Sequence, residues 1–201
     1  MIKVSDYVIK KLEETGTKHM FMLPGGGAMH LNDSLGKSDK IKFICTQNEQ
    51  GAAIAAEAYA RVNGDAGLLM VTTGPGGTNA ITGVMGGYLD SIPMFVLSGQ
   101  VKRETTIRSC PEIGLRQLGD QEFDIVPSVE NMTKYAVVLD RPEDVAYHIE
   151  KAMYLATHGR PGPVWIDVPL DVQGAKIETD DLMHFDPYVH IDMLADMGSR
   201  D

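Results

Sequence analysis

One carboxylate and two glycine clusters are the parts of this sequence whose residue types suit chemistry. Glu49 follows Asn48 and leads into Gln50-Gly51-Ala52-Ala53-Ile54-Ala55-Ala56-Glu57-Ala58-Tyr59-Ala60-Arg61, a run of mostly small residues at helical spacing. Asn48 is a residue type that caps helix N-termini, and an acid just inside the cap is favoured by the helix dipole. On that reading Glu49 is structural; on the other it is a positioned acid–base group. Pro24-Gly25-Gly26-Gly27 and Gly74-Pro75-Gly76-Gly77-Thr78-Asn79 carry the same double meaning. Each is a tight turn that caps a helix or receives an anion, or a place where the missing side chains let a flat ligand approach the backbone. Neither has the Gly-Lys-Ser/Thr ending of a phosphate loop or the spacing of a dinucleotide fingerprint.

The elements that must position these groups follow from periodicity. Ser5–Thr15 reads as an amphipathic helix stopped by Gly16. His19–Leu23, Ile41–Cys45, Gly67–Thr73, Met94–Leu97, Tyr135–Leu139 and Val164–Val168 are short apolar runs of strand length. Helical patterns follow them at Ala28–Leu35, from Glu49, at Thr78–Leu89 and at Pro142–His158. Apolar strands alternating with helices predict an α/β fold, an open parallel sheet with helices on both faces. In such sheets ligands bind beyond the carboxyl ends of the strands, where Pro24–Gly27, Glu49 and Gly74–Asn79 all fall. From Val101 to Asn131 periodicity fails, which predicts a long functional loop with one helical turn at most. Beyond residue 175 the sequence is acidic and irregular, so residues 1–175 are expected to form the domain and 176–201 a tail or linker.

Composition narrows the classes. The chain has 201 residues, 43% of them hydrophobic, enough for one ordinary core. With 18 basic against 28 acidic residues its formal charge is -10, which disfavours nucleic acid and anionic membranes as partners. Cys45 and Cys110 are too few for a zinc cage or a disulfide framework, which predicts a reducing, cytoplasmic setting. The opening residues lack the apolar core of a secretory leader, and no run is long enough to span a membrane.

Seven segments, taken in order, resemble a known family. They are Pro24-Gly25-Gly26, Asn48-Glu49-Gln50-Gly51-Ala52-Ala53, Ala58-Tyr59-Ala60-Arg61, Thr73-Gly74-Pro75-Gly76-Gly77-Thr78-Asn79, Asp90-Ser91-Ile92-Pro93, Ser98-Gly99-Gln100-Val101 and Gly159-Arg160-Pro161-Gly162-Pro163-Val164. Their order and spacing are similar to the N-terminal pyrimidine-binding (PYR) domain of thiamine diphosphate enzymes, most closely the acetolactate synthase large subunit. The resemblance implies that Glu49 bonds the N1′ atom of the cofactor's aminopyrimidine and drives its 4′-amino group toward the imino form, which removes the thiazolium C2 proton. Burial among alanines would suit a carboxyl group to sharing a proton with that ring. It further implies that Gly25, Gly26, Thr73, Pro75, Gly76 and Asn79 wall the pyrimidine, and that Gln121 and Lys134 lie on the substrate side. The stretch from Lys102 to Asp120 is longer than in acetolactate synthases, and Asp120 stands where an aromatic residue there precedes the glutamine.

The family holds the diphosphate through Mg2+ on a second domain, with the pattern Gly-Asp-Gly followed by Asn. Gly64-Asp65-Ala66 and Gly119-Asp120-Gln121 both break that pattern. The resemblance therefore implies a half-site: thiamine diphosphate shared with a partner chain, Mg2+ on that partner alone, a homo- or hetero-oligomer, and a 2-keto acid or related small molecule as substrate. Apolar surface on Ala52–Ala60 and Gly83–Leu89 is expected to meet such a partner. The other reading is a non-catalytic α/β module descended from such an enzyme.

Overall fold

A computed structural model describes residues 1–189. The chain opens with a two-residue strand, β1 (Ile2–Lys3), and helix α1 (Val4–Glu13). Then come β2 (His19–Met22), α2 (Met29–Gly36), β3 (Lys42–Cys45), α3 (Glu49–Asn63), β4 (Gly67–Val71), α4 (Pro75–Leu89) and β5 (Met94–Gln100). After a long loop follow a four-residue helix α5 (Val126–Val129), β6 (Tyr135–Val138), α6 (Val145–Thr157), β7 (Pro163–Pro169), α7 (Leu170–Gly174) and β8 (Lys176–Ile177). Six strands form one wholly parallel sheet in the order β3-β2-β4-β5-β7-β6.

The central strands are buried on both faces, and their alternation sorts the core into two layers. Leu68 and Met70 of β4, Phe95 and Leu97 of β5, and Val164, Ile166 and Val168 of β7 face one way, under α1, α2, α6 and α7. Leu69, Val71, Met94, Val96 and Trp165 face the other, under α3, α4 and α5. Such two-sided burial is why these strands read as continuous apolar runs in the sequence. The expected open α/β sheet with helices on both faces is the architecture observed.

The alanine run of α3 is used inside the domain. Ala52, Ala53, Ala56 and Ala60 are buried, and α3 lies so close to α4 that a Cβ on Gly83 would stand 2.6 Å from the Cβ of Ala53. The apolar surface expected on Ala52–Ala60 and Gly83–Leu89 is carried by the large residues of those stretches, Ile54, Met85 and Leu89, which are exposed together with Phe43 and Ile44 of the edge strand β3, while Ala52, Ala53, Ala56 and Ala60 face inward. Small residues are there because two helix backbones touch across them.

Boundaries differ in three places. Helix α4 begins at Pro75, three residues before the expected Thr78, because proline suits the first helical turn, where no N–H is needed. Residues 101–131 hold 3-10 turns at Arg103–Thr105, Ile107–Ser109 and Pro111–Ile113 before α5. Past residue 175 the chain stays on the domain for a while: β8 pairs antiparallel with β1, and Phe185 is buried. The rest of the expected tail, residues 190–201, lies outside the described residues.

Candidate functional site

The strand order reverses at β2. The chain goes from β2 outward to β3, then returns to place β4 on the other side of β2, which opens a crevice between the carboxyl ends of β2 and β4. The turns after these two strands meet there. Thr72 is the residue between them: its Oγ1 accepts from the N–H of Gly27 at 3.1 Å, and a Cβ on Gly25 would lie 2.5 Å from its side chain. A Cβ on Gly76 would lie 2.8 Å from Thr72 Cγ2. Gly25 and Gly76 thus lack side chains because Thr72 fills the space between them. Gly26 faces open space. Thr73 is buried and donates its hydroxyl to the carbonyl of Gly99 at 3.0 Å, tying the turn to β5.

Glu49 reaches this crevice from the first turn of α3. Asn48 caps the helix, its side chain accepting from the N–H of Gly51 at 2.7 Å, so Glu49 is freed from capping and its side chain points across to α4. There Asn79 donates its amide to Glu49 Oε2 at 2.6 Å. Glu49 as a whole is 9% exposed. Among the described residues Oε1 accepts no hydrogen bond, and it lies 3.5 Å from where a Cβ on Gly76 would be. The arrangement is a carboxylate held by one oxygen, with the other lying near Gly76 and Thr72. Pro75, at the start of α4, is exposed on the same rim.

Gln121 comes to this rim by its main chain. Its carbonyl oxygen stands 1.9 Å from where a Cβ on Gly74 would be, and both residues have left-handed backbone, φ +54 at Gly74 and φ 56 at Gln121. Only glycine allows that approach at position 74. Lys134 does not join the group. It precedes β6, its N–H donates to the carbonyl of Pro163 at the start of β7, and its Nζ donates to the carbonyl of His158 at 2.6 Å. That is the amino end of the sheet, opposite to Glu49.

Thr72 is a part of the rim that the sequence analysis did not single out. The doubled Thr72-Thr73 at the end of an apolar strand, facing a second glycine turn, is the signal that was available. A second polar group also escaped notice. Asp167, fully buried on β7, accepts from Ser98 Oγ at 2.5 Å and from Gln100 Nε2 at 3.1 Å, while Trp165 Nε1 donates to Ser98 Oγ at 2.7 Å. Burial pushes its carboxyl up from 3.8 to about 7, against the pull of those hydrogen bonds. Gln100 Nε2 also donates to the carbonyl of Phe123 at 2.8 Å, so this network reaches the long loop.

Residues 2–113 match the family model for the thiamine pyrophosphate enzyme N-terminal TPP binding domain. The chain belongs to this family. It is 38% identical over 174 residues to the chloroplastic acetolactate synthase of Arabidopsis thaliana, covering 85% of this chain and 24% of that protein. It is 37% identical over 172 residues to the acetolactate synthase isozyme 3 large subunit of Escherichia coli, covering 86% of this chain and 28% of that one. With the acetolactate synthase large subunit of Lactococcus lactis the identity is 38% over 173 residues, again 86% of this chain and 28% of the relative. The chain thus spans about a quarter of the length of the curated relatives it matches. Residues 114–189 lie beyond the family model, and β6 and β7, which fall among them, complete the six-stranded sheet.

The crevice suits the cofactor that gives this TPP-binding family its name. A planar ring needs backbone without side chains, and Gly26 leaves open space for it, while Gly25 and Gly76 let the two turns close on Thr72 at its border. A ring nitrogen needs a partner that can hold a proton, and Glu49 offers a free oxygen beside Gly76. No helix of the described residues is long and apolar enough to cross a membrane.

Proposed function

We propose that this chain is the pyrimidine-binding half of a thiamine diphosphate-dependent, acetolactate synthase-like enzyme that makes or breaks a C–C bond of a 2-keto acid or related substrate. The observation that carries this reading is the Glu49–Asn79 pair, a buried carboxylate held at the strand-order reversal beside bare glycine backbone. Gly25, Gly26, Thr73, Pro75 and Gly76 form the walls of the cofactor site, and Glu49 and Asn79 its polar end. When bound, thiamine diphosphate supplies a carbon nucleophile and the electron sink for the keto-acid chemistry. Glu49 exchanges a proton at Oε1 with the pyrimidine ring nitrogen, while Asn79 keeps Oε2 in place so that Oε1 has one orientation. The diphosphate and its Mg2+ belong to a domain on another chain. Gln121 borders the substrate side, and Lys134, at the far end of the sheet, is left out of the site.

The test is hydrogen–deuterium exchange at the thiazolium C2 of cofactor bound to the complex of this chain with its diphosphate-binding partner. Glu49→Gln keeps size and hydrogen bonding but cannot exchange the proton, so C2 exchange should slow by ~10²–10⁴ with cofactor affinity nearly unchanged. Glu57→Gln, two turns along α3 and ion-paired with Arg61, should leave the rate as it is. Exchange at the parent rate in Glu49→Gln would reduce Glu49 to a helix-start carboxylate.

A further inference from the structure

The loop after β5 is closed on itself by one buried side chain. Glu122 is 6% exposed, and its carboxylate accepts the N–H of Ile107 on Oε1 at 2.7 Å and the N–H of Leu118 on Oε2 at 2.9 Å. It therefore gathers two distant parts of the loop onto the residue that follows Gln121. Three further ties act on the same short stretch. Arg108 grips Asp124 through two parallel bonds of 2.9 and 2.8 Å, Gln100 Nε2 holds the carbonyl of Phe123, and the Glu122 N–H donates to the carbonyl of Gly119 at 3.2 Å. Gln121, in the middle, is in the left-handed region that a residue other than glycine adopts only when its surroundings impose it. Its carbonyl is pressed onto Gly74, the residue from which α4 and Asn79 depart.

We propose that Glu122 is a positioning residue: by closing the 102–124 loop it seats the main chain of Gln121 on Gly74 and fixes the substrate-side wall of the Glu49 crevice. The loop is thus a preformed wall with a buried carboxylate as its internal clasp. A buried carboxylate that receives two backbone N–H groups is among the stronger hydrogen-bonded arrangements in proteins, and its loss frees both donors at once. That the wall serves a substrate rests on the function proposed above; that Glu122 couples the loop to the Gly74 turn does not.

The experiment is site-resolved amide hydrogen exchange on the full chain, without cofactor, comparing the parent with Glu122→Gln. The amides of Ile107 and Leu118 should exchange roughly tenfold faster, and those of the 74–78 turn several-fold faster. Amides of Leu68–Met70 in β4 should keep the parent rates. Trypsin should cut sooner after Arg108 and Arg116. Equal acceleration everywhere, β4 included, would mean that Glu122 only adds global stability, and that overturns the proposal. So does a freed loop with an unchanged 74–78 turn, or a loop whose rates do not move. Should Glu122→Gln fail to fold, Asp124→Asn loosens the same stretch by removing the Arg108 fork. The loop and the turn must then still accelerate together by several-fold, and a turn that stays at parent rates overturns the proposal equally. Since no cofactor takes part, failure here is separate from failure of the C2 exchange test on Glu49.

Discussion

Asn79 and Glu49 are 30 residues apart in sequence and 2.6 Å apart in space, amide to carboxylate, on two helices that touch through Ala53 and Gly83. The close helix contact and the polar pair are one arrangement: without the bare glycine at 83, α4 would stand off and Asn79 would not reach.

The pair makes a prediction of its own. Asn79→Leu keeps the volume but removes the donor, leaving Glu49 free to swing. In the assembled enzyme C2 exchange should slow by about tenfold, less than for Glu49→Gln, as expected for one partly exposed hydrogen bond to a charged group. Thermal stability should barely change, because Asn79 is exposed. A rate equal to that of the parent would show that Glu49 needs no support from α4.

Glycines 83 and 86 lie on the same helix and should respond oppositely to alanine. At Gly83 the new Cβ meets Ala53 Cβ at 2.6 Å and the backbone nitrogen of Ile54 at 2.7 Å, so the helices must part, at a cost of about 1–3 kcal/mol. At Gly86 nothing lies within 4 Å, and the same methyl should stabilise by about 0.5–1 kcal/mol through helix propensity. Denaturant midpoints of the two variants should fall on either side of the parent.

Asp167 predicts a pH dependence of stability with an unusual sign. Its carboxyl titrates near 7 in the fold and at 3.8 outside it, so the folded state holds the proton more tightly. Below about 3.8 both states are protonated and nothing is lost. Between 3.8 and 7 the unfolded chain gives up its proton first, and stability falls as pH rises, by up to roughly 4 kcal/mol in total. Above 7 the penalty is complete and constant. Asp167→Asn should abolish this slope, so the stability difference between variant and parent should grow from pH 4 to 7 and then level off in denaturant titrations. A difference independent of pH would rule out a raised carboxyl.

The isolated chain should bind thiamine diphosphate weakly or not at all, with or without Mg2+, because its residues grip only the pyrimidine end. Titration calorimetry checks this, and micromolar affinity for the chain alone would argue against a site completed by a partner.

Much of this was legible in the sequence, because the features that matter are local. Strands such as Gly67–Val71 are buried on both faces and so read as apolar runs, and the chemistry sits where glycine or a lone carboxylate interrupts the pattern. The loop after β5 was not legible. Its shape is made by contacts between residues 15 apart, Glu122 with Ile107, and 16 apart, Arg108 with Asp124, which leave no periodic trace. Lys134 was put on the substrate side by the resemblance alone; standing just before β6 in a parallel sheet, it lies at the amino end of the strands, away from Glu49. Strand β8 escaped because two residues cannot declare a strand without their partner, here Ile2–Lys3. Thr72 was passed over since its part is defined by the empty space at Gly25 and Gly76.

Trp165 is the only tryptophan in the chain, and its indole N–H ends on the Ser98 hydroxyl that Asp167 accepts from. The protein thus carries an optical probe wired to a buried carboxyl that is pushed up to about 7. Since Gln100 links that same carboxyl to the backbone of Phe123, movement of the loop and ionisation of Asp167 should both register in the emission of one fluorophore, with no label attached.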